Sequence, residues 1–451
     1  MPMLYDTIVG IATIQGISAI NVIRVSGSDA FAIVNKIFKG KDLATMESHT
    51  VHYGHIVDNE NIIDEVLVSV FWEPKTFTGE NVVEISTHGG VMIPSKIVEL
   101  LITNGCRMAE NGEFSKRAFL NGRIDLSQAE SIMDIISAQT EQQLRLANRG
   151  LHGDIKKMIG ELQTSILDMI SKIEVNIDYP EYDDTLVMTN NILRPEIKKL
   201  IAKLSVILHN SSTGKIIRDG IKTVILGKPN VGKSSLLNSL LKEDKAIVTE
   251  VSGTTRDLVE GEWNLGGVIL NLVDTAGIRN TDDVVEKIGI EKAKTALEGA
   301  DLVLLVLDQS QSLTAEDIDL LELTKKKIRI IVGNKIDLGK HVNIKFEKMI
   351  DISAKNSIGL DQLEAEVKRL FIDESLLKEN QMLLANSRHI GKISEAKAAL
   401  EDALKACENQ FPVDIIEIDI RKSWEVLGEI TGETGSEALI HTLFSRFCLG
   451  K

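Results

Sequence analysis

Apolar residues recur along this chain in three rhythms, each in its own stretch. Up to about residue 120, short β-branched runs at 7–12, 21–25, 66–71 and 82–86 read as strands. Between them, 30–38 and 93–101 carry the three-and-four spacing of amphipathic helices. That alternation predicts a compact α+β domain. From Asp125-Leu126-Ser127-Gln128, a helix-start sequence with the spacing of a capping box, the rhythm turns helical. Ile155, Met158, Ile159, Leu162, Ile166, Met169, Ile170 and Ile173 lay one stripe along a helix, which is packing and not a cofactor box. Asp178-Tyr179-Pro180-Glu181 breaks that pattern, a second helical run covers 192–208, and Ser211-Ser212-Thr213-Gly214 predicts a linker.

A third rhythm starts near residue 223. Runs at 268–273, 302–307 and 328–332 are apolar without alternation, as parallel strands covered on both faces must be, and amphipathic segments separate them. This is the pattern of a doubly wound α/β domain ending near 372. Helical spacing returns at 386–406 and 413–428, so the α/β domain is inserted into a helical one. The expected organisation is 1–120 α+β, 121–214 helical, 215–373 α/β and 374–451 helical.

Composition narrows the class. With 51 basic against 66 acidic residues and a formal charge of −15, the chain is not built to coat nucleic acid nonspecifically. Cys106, Cys407 and Cys448 are odd in number and far apart, which argues against a disulfide framework or zinc site and for a reducing cytoplasm. The start of the chain lacks a basic-then-apolar leader, and no apolar run approaches the ~20 residues of a membrane helix. A cytoplasmic protein with no membrane association is expected.

The chemistry centres on Gly227-Lys228-Pro229-Asn230-Val231-Gly232-Lys233-Ser234-Ser235, a GxxxxGK[ST] phosphate loop preceded by the apolar run 223–226. Glycines let such a loop curl around an anion, and the following helix adds the positive end of its dipole. Lys233 can bridge the β- and γ-phosphates, and the Ser234 hydroxyl can ligate Mg²⁺. Four more segments complete a constellation. Asp274-Thr275-Ala276-Gly277 ends a strand, where the carboxylate can hold Mg²⁺ through water and the Gly277 N–H can meet the γ-phosphate. Ser252-Gly253-Thr254-Thr255-Arg256-Asp257 lies between the phosphate loop and Asp274, where a switch loop could supply Thr255 as the second hydroxyl ligand of Mg²⁺, and Thr249, Glu250 and Val251 just before it join the expected nucleotide contacts. Asn334-Lys335-Ile336-Asp337 follows another strand. The Asp337 carboxylate can accept both donors on the guanine edge, and Lys335 can lie along the base. Ser353-Ala354-Lys355 can back guanine O6 with a main-chain N–H. Five segments in this order, each at a strand end, predict GTP binding. Ile278 follows Gly277, so no glutamine stands there to orient water. Glu286 is the carboxylate that can polarise the attacking water, and on spacing alone it is equally a solvated acid at a helix start. His88-Gly89-Gly90 is equally a ligand approach or an ordinary turn, while Arg24 and Glu84 read first as charges on an exposed strand face.

With these motifs in place, the sequence resembles the MnmE/TrmE family of tRNA-modification GTPases along its whole length. The likeness rests on the phosphate loop, on Gly253-Thr254-Thr255-Arg256-Asp257, on the stretch from Gly112-Glu113-Phe114-Ser115 to Gln128-Ala129-Glu130, and on Phe447-Cys448-Leu449-Gly450-Lys451. The resemblance implies an N-terminal domain that dimerises and binds a tetrahydrofolate derivative in the 5-formyl or methylene form, with Arg24, Glu84, Arg123 and Lys451 at matching positions. It implies K⁺ in place of an arginine finger, held by Asn230, Thr249, Val251 and Thr254, and a residue matching Glu286 that swings inward when two G domains meet. It also implies a hetero-oligomer with an FAD-containing partner of the MnmG/GidA type, FAD residing on that partner, which modifies carbon 5 of the wobble uridine of tRNA. A GTP-gated switch in ribosome assembly is the rival reading, and the absence of a basic RNA-binding appendix counts against it.

Overall fold

The computed structural model describes residues 6–14, 16–178, 190–242, 246–247, 261–274, 297–340, 349–371, 383–447 and 450. By contacts the chain divides into two compact units, one of 1–133, 150–187 and 417–451 and the other of 134–149 and 188–416. Among the described residues no helix is long and apolar enough to cross a membrane.

The first unit holds strands β1 (Ile8–Ile11), β2 (Ile20–Ser26), β3 (Phe38–Lys39), β4 (Thr50–Asp58), β5 (Asn61–Phe71), β6 (Val82–His88) and β7 (Arg107–Met108) in one sheet, ordered β3-β4-β5-β6-β2-β1-β7. Alternation sets its faces. Val66, Val68, Val70, Val83 and Ile85 point inward and pack with helices α1 (Ala30–Asn35) and α2 (Met92–Thr103) through Ile33, Val34, Ile97 and Leu101. Helix α1 stops earlier than its apolar spacing predicts. Phe38 is buried and pairs with Ile56 of β4, so tertiary pairing takes the last residues of the run. Helix α3 (Glu113–Leu120) leads to α4 (Leu126–Ser137), whose start is the expected capping box: Gln128 N–H donates to Asp125 Oδ1 at 2.9 Å and Asp125 N–H to Gln128 Oε1 at 3.0 Å. Helix α5 (Glu141–Leu151) precedes α6 (Asp154–Asp178), on which the predicted stripe is buried at Ile155, Ile159, Leu162, Ile166, Met169, Ile170 and Ile173.

In the second unit, helix α7 (Asn190–Asp219) runs straight through 211–214, where the sequence predicts a linker. Ser211 and Ser212 return their hydroxyls to the carbonyls of Leu208 and His209, so the helix satisfies its own polar groups. A Cβ on Gly214 would lie 2.3 Å from the Leu384 carbonyl, so the glycine marks a close packing contact there and not a break. The helix stops instead before Gly220, at φ +74°.

The second sheet comprises β8 (Ile221–Leu226), β9 (Ala246–Ile247), β10 (Gly261–Asn264), β11 (Ile269–Asp274), β12 (Leu302–Asp308), β13 (Arg329–Asn334) and β14 (Met349–Asp351), in the order β14-β13-β12-β8-β11-β10-β9. The five strands from β14 to β11 run parallel, and β10 and β9 add an antiparallel edge. Strand β12 shows why the run is unbroken. Leu302, Leu304 and Val306 join one core with α8 (Lys233–Lys242) and α10 (Leu360–Phe371), while Val303, Leu305 and Leu307 join another with α9 (Ala315–Leu323). Helices on both faces make this the doubly wound architecture predicted, with loops gathered at the carboxyl ends of the strands. Helices α11 (Ser387–Glu408), α12 (Val413–Thr431) and α13 (Glu437–Phe444) complete the chain, and α11 packs along α7.

Candidate functional site: a braced phosphate loop

The loop between β8 and α8 is drawn tight by its neighbours. Lys233 Nζ donates to the carbonyls of Gly227 at 2.8 Å and Lys228 at 2.9 Å, which curls the lysine back over the loop. Asn230 sits at φ +63° and Gly232 at φ +98°. At Gly232 a Cβ would lie 2.3 Å from Asn334 Nδ2, so only glycine lets the two loops meet. Ser234 and Ser235 are exposed in the first turn of α8, at the positive end of its dipole. That place suits the Ser234 hydroxyl as a Mg²⁺ ligand.

Three of the predicted segments come together here. Asn334 is buried and links them: its Nδ2 donates to Val231 O at 2.9 Å, and its Oδ1 accepts from Ala354 N–H at 2.9 Å. Ser353 Oγ donates to Asp337 Oδ1 at 2.7 Å, which orients the carboxylate expected to read guanine. Lys335, at φ +68°, donates through Nζ to Asn230 O at 2.7 Å and pairs with Asp308 Oδ2 at 2.7 Å. Burial alone would raise the Asp308 carboxyl, but the bonds from Lys335 and Ser310 outweigh it and hold the group below its ordinary value. The Asp337 carboxylate thus stands in a segment tied to the phosphate loop. Lys355 follows Ala354 and is exposed.

Asp274 ends β11 as expected. The remaining predicted nucleotide and metal residues, Thr249, Glu250, Val251, Ser252, Gly253, Thr254, Thr255, Thr275, Ala276, Gly277 and Glu286, lie outside the described residues, as does Lys451.

In the first unit, Arg24 and Glu84 face each other across the β2–β6 pair and bond at 2.8 Å, Nε to Oε1. The Arg24 guanidinium lies 5.3 Å from the centroid of the Phe77 ring and 5.6 Å from that of Phe114. Gly450 reaches the same place. Phe444 and Phe447 pack with Leu126 and Ala129, and Arg24 Nη1 donates to Gly450 O at 3.4 Å. A Cβ on Gly450 would lie 2.3 Å from Ile11 O, so the tail presses on β1. Arg123 is exposed in the turn after α3, and among the described residues its side chain bonds neither Arg24 nor Glu84.

Sequence reasoning missed Asp308, Lys228 and Asp317. A lone acid at the carboxyl end of an apolar parallel strand is the signal for Asp308. Thr314 followed three residues later by Asp317 is the corresponding helix-start signal for Asp317. It also missed an ionic cluster in which Arg117, nearly buried, bonds Asp6, Glu80 and Glu113, while Arg107 bonds Asp6 and Glu113.

Fold and site together define a GTPase of the phosphate-loop class. Residues 126–448 match the model of the MnmE helical domain, and 7–123 match that of the GTP-binding protein TrmE N-terminus. A tRNA modification GTPase MnmE of Streptococcus thermophilus is 51% identical over 450 residues, covering 99% of each chain. A protein of the same name from Bacillus cereus is 49% identical over 460 residues and covers all of both. Among solved structures, Aquifex aeolicus Era bound to GDP and AlF4⁻ aligns at 26% identity over 40% of this chain and 66% of Era, with a TM-score of 0.27. The chain belongs to the MnmE family.

Proposed function

We propose that this chain is a K⁺-dependent GTPase that modifies carbon 5 of the wobble uridine of certain tRNAs, acting as a homodimer with an FAD-containing partner in the cytoplasm. The group added is aminomethyl or carboxymethylaminomethyl, and a tetrahydrofolate derivative supplies the one-carbon unit. The observation that carries this reading is the coexistence of a braced guanine-selective loop with an Arg24–Glu84 pair against which the tail of the chain lies. Relatives named tRNA modification GTPase that match from end to end support it.

In this scheme Lys233 leaves the carbonyls of Gly227 and Lys228 for the phosphates of GTP, and Ser234 with Thr255 holds Mg²⁺. Asp337 accepts the donors of guanine while Lys335 steadies Asn230, a K⁺ ligand together with Thr249, Val251 and Thr254. Bound there, the cation would supply positive charge to the triphosphate as negative charge develops on it. Glu286 orients water. Hydrolysis drives a conformational cycle and is separate from the modifying chemistry. At the other site the Arg24 guanidinium, beside Phe77 and Phe114 and paired with Glu84, would meet the folate, and the family resemblance adds Arg123 and Lys451 to its contacts.

The test is mass analysis of wobble uridine in cells lacking this chain. Loss of the modification supports the assignment, and full modification overturns it. An unchanged GTPase rate when sodium replaces potassium overturns the cation's role.

A further inference from the structure

The phosphate loop is held from a side that its motif does not mention. Lys228, the second residue of the loop, pairs with Asp317 in the first turn of α9, Nζ to Oδ2 at 2.8 Å. Both ends are enclosed: the side chains are 13% and 2% exposed. The same Oδ2 accepts from Thr314 N–H at 2.9 Å and from the Thr314 hydroxyl at 2.8 Å. Oδ1 is buried and meets no donor among the described residues. Thr314 is neutral, so among the described partners Lys228 alone balances the charge. Burial would raise the Asp317 carboxyl, and the Lys228 and Thr314 bonds outweigh it and hold the group ionised.

We propose that Asp317 is a positioning residue for nucleotide binding: through Lys228 it holds the phosphate loop in its curled shape before the nucleotide arrives. A buried carboxylate stripped of the one cation it meets among the described residues is costly, which holds Lys228 against α9. The Lys228 carbonyl in turn receives Lys233 Nζ, the amine destined for the phosphates, at 2.9 Å. One ion pair therefore sets the backbone on which the phosphate-binding lysine rests. A loop already shaped for its ligand loses less freedom on binding, and affinity rises accordingly. The inference rests on the GTP-binding reading, and wild-type protein that fails to retain GTP would refute that reading itself.

The experiment measures GTP and GDP dissociation constants by titration calorimetry on the full chain and its variants. Asp317→Asn and Lys228→Met should each weaken both nucleotides by about tenfold or more, the scale of one lost charged hydrogen bond. KM for GTP should rise in step with the dissociation constant, since the pair acts on the shape of the loop. The preference for GTP over ATP should stay unchanged, since Asp337 is untouched. Lys228→Arg keeps charge and reach and should restore affinity to within about threefold, and the double variant should be no weaker than the worse single one, as coupled partners require. Single variants that bind within about twofold of wild type, or single losses that multiply in the double variant, overturn the proposal. Should Asp317→Asn unfold, the Lys228→Met and Lys228→Arg pair decides alone: equal affinities refute it.

Discussion

Replacing Asn334 with alanine should loosen the three loops of the nucleotide site in one step, while the Lys335–Asn230 and Ser353–Asp337 bonds still join them. The side chain is 3% exposed and spends its two polar atoms on main-chain groups of other segments, Val231 O and Ala354 N–H. Val231 and Ala354 are themselves buried, so water does not replace the lost partner. Each stranded group costs about 1–3 kcal/mol, which makes about 2–6 kcal/mol for the pair. Set against a domain stability of about 5–15 kcal/mol, that is enough to loosen the site without unfolding every molecule. The assay is hydrogen exchange at the Ala354 amide together with GTP titration calorimetry. Asn334→Ala should remove the amide's protection and weaken GTP by more than about tenfold, since 1.4 kcal/mol is one decade. Asn334→Asp keeps the acceptor for Ala354 but turns an oxygen toward the Val231 carbonyl, so it should protect the amide and still bind GTP poorly. If Asn334→Ala leaves protection and affinity unchanged within about 0.5 kcal/mol, the linkage is wrong.

Gly232→Ala should abolish GTP binding in the same calorimetric assay, because the new Cβ would lie 2.3 Å from Asn334 Nδ2 at a φ of +98°; retained binding would show that the loops can part. Arg24→Ala should eliminate binding of 5-formyltetrahydrofolate, read by fluorescence quenching, and leave GTP affinity intact; unaltered folate binding would remove Arg24 from that site. Burial would raise Asp6 and Glu113, but the bonds from Arg107 and Arg117 outweigh it and lower both from ordinary values of 3.8 and 4.5. Lowered carboxylates contribute stability above their unfolded values that is lost as pH falls through the folded ones. Thermal unfolding of the N-terminal unit should therefore hold above pH 4.5 and drop steeply below 3.8, and Arg117→Met should flatten that drop; an unchanged profile refutes the cluster's role. His88 is raised from 6.5, first by its hydrogen bond to Asp64 and then by that residue's charge, so its proton NMR titration should move down toward 6.5 in Asp64→Asn.

The elements that local pattern predicts best are those whose burial is uniform. Every position of β12 is enclosed, so its run of leucine and valine reads as a parallel strand without knowledge of its partners. The Asp125–Gln128 cap and the stripe on α6 likewise depend on spacing within one helix. The phosphate loop and the Asn334–Asp337 segment are equally local, because the ligand dictates residue type at fixed offsets.

Elsewhere the outcome depends on what a segment meets. Ser211-Ser212-Thr213-Gly214 has the composition of a linker, yet helix α7 continues because Leu384 packs against the gap that Gly214 leaves. Phe38 has helical spacing and becomes a strand because Ile56 offers it a ladder.

From its sequence alone this protein was legible as a guanine-nucleotide machine of three rhythms, since helix and strand periods and a phosphate-binding loop are written in consecutive residues. Only the tertiary structure decided that Asp317 meets Lys228, that Asn334 joins three loops, and that Gly450 lies beside Arg24. Those pairings join residues far apart along the chain, and no periodicity records which distant charges or polar atoms burial will bring together.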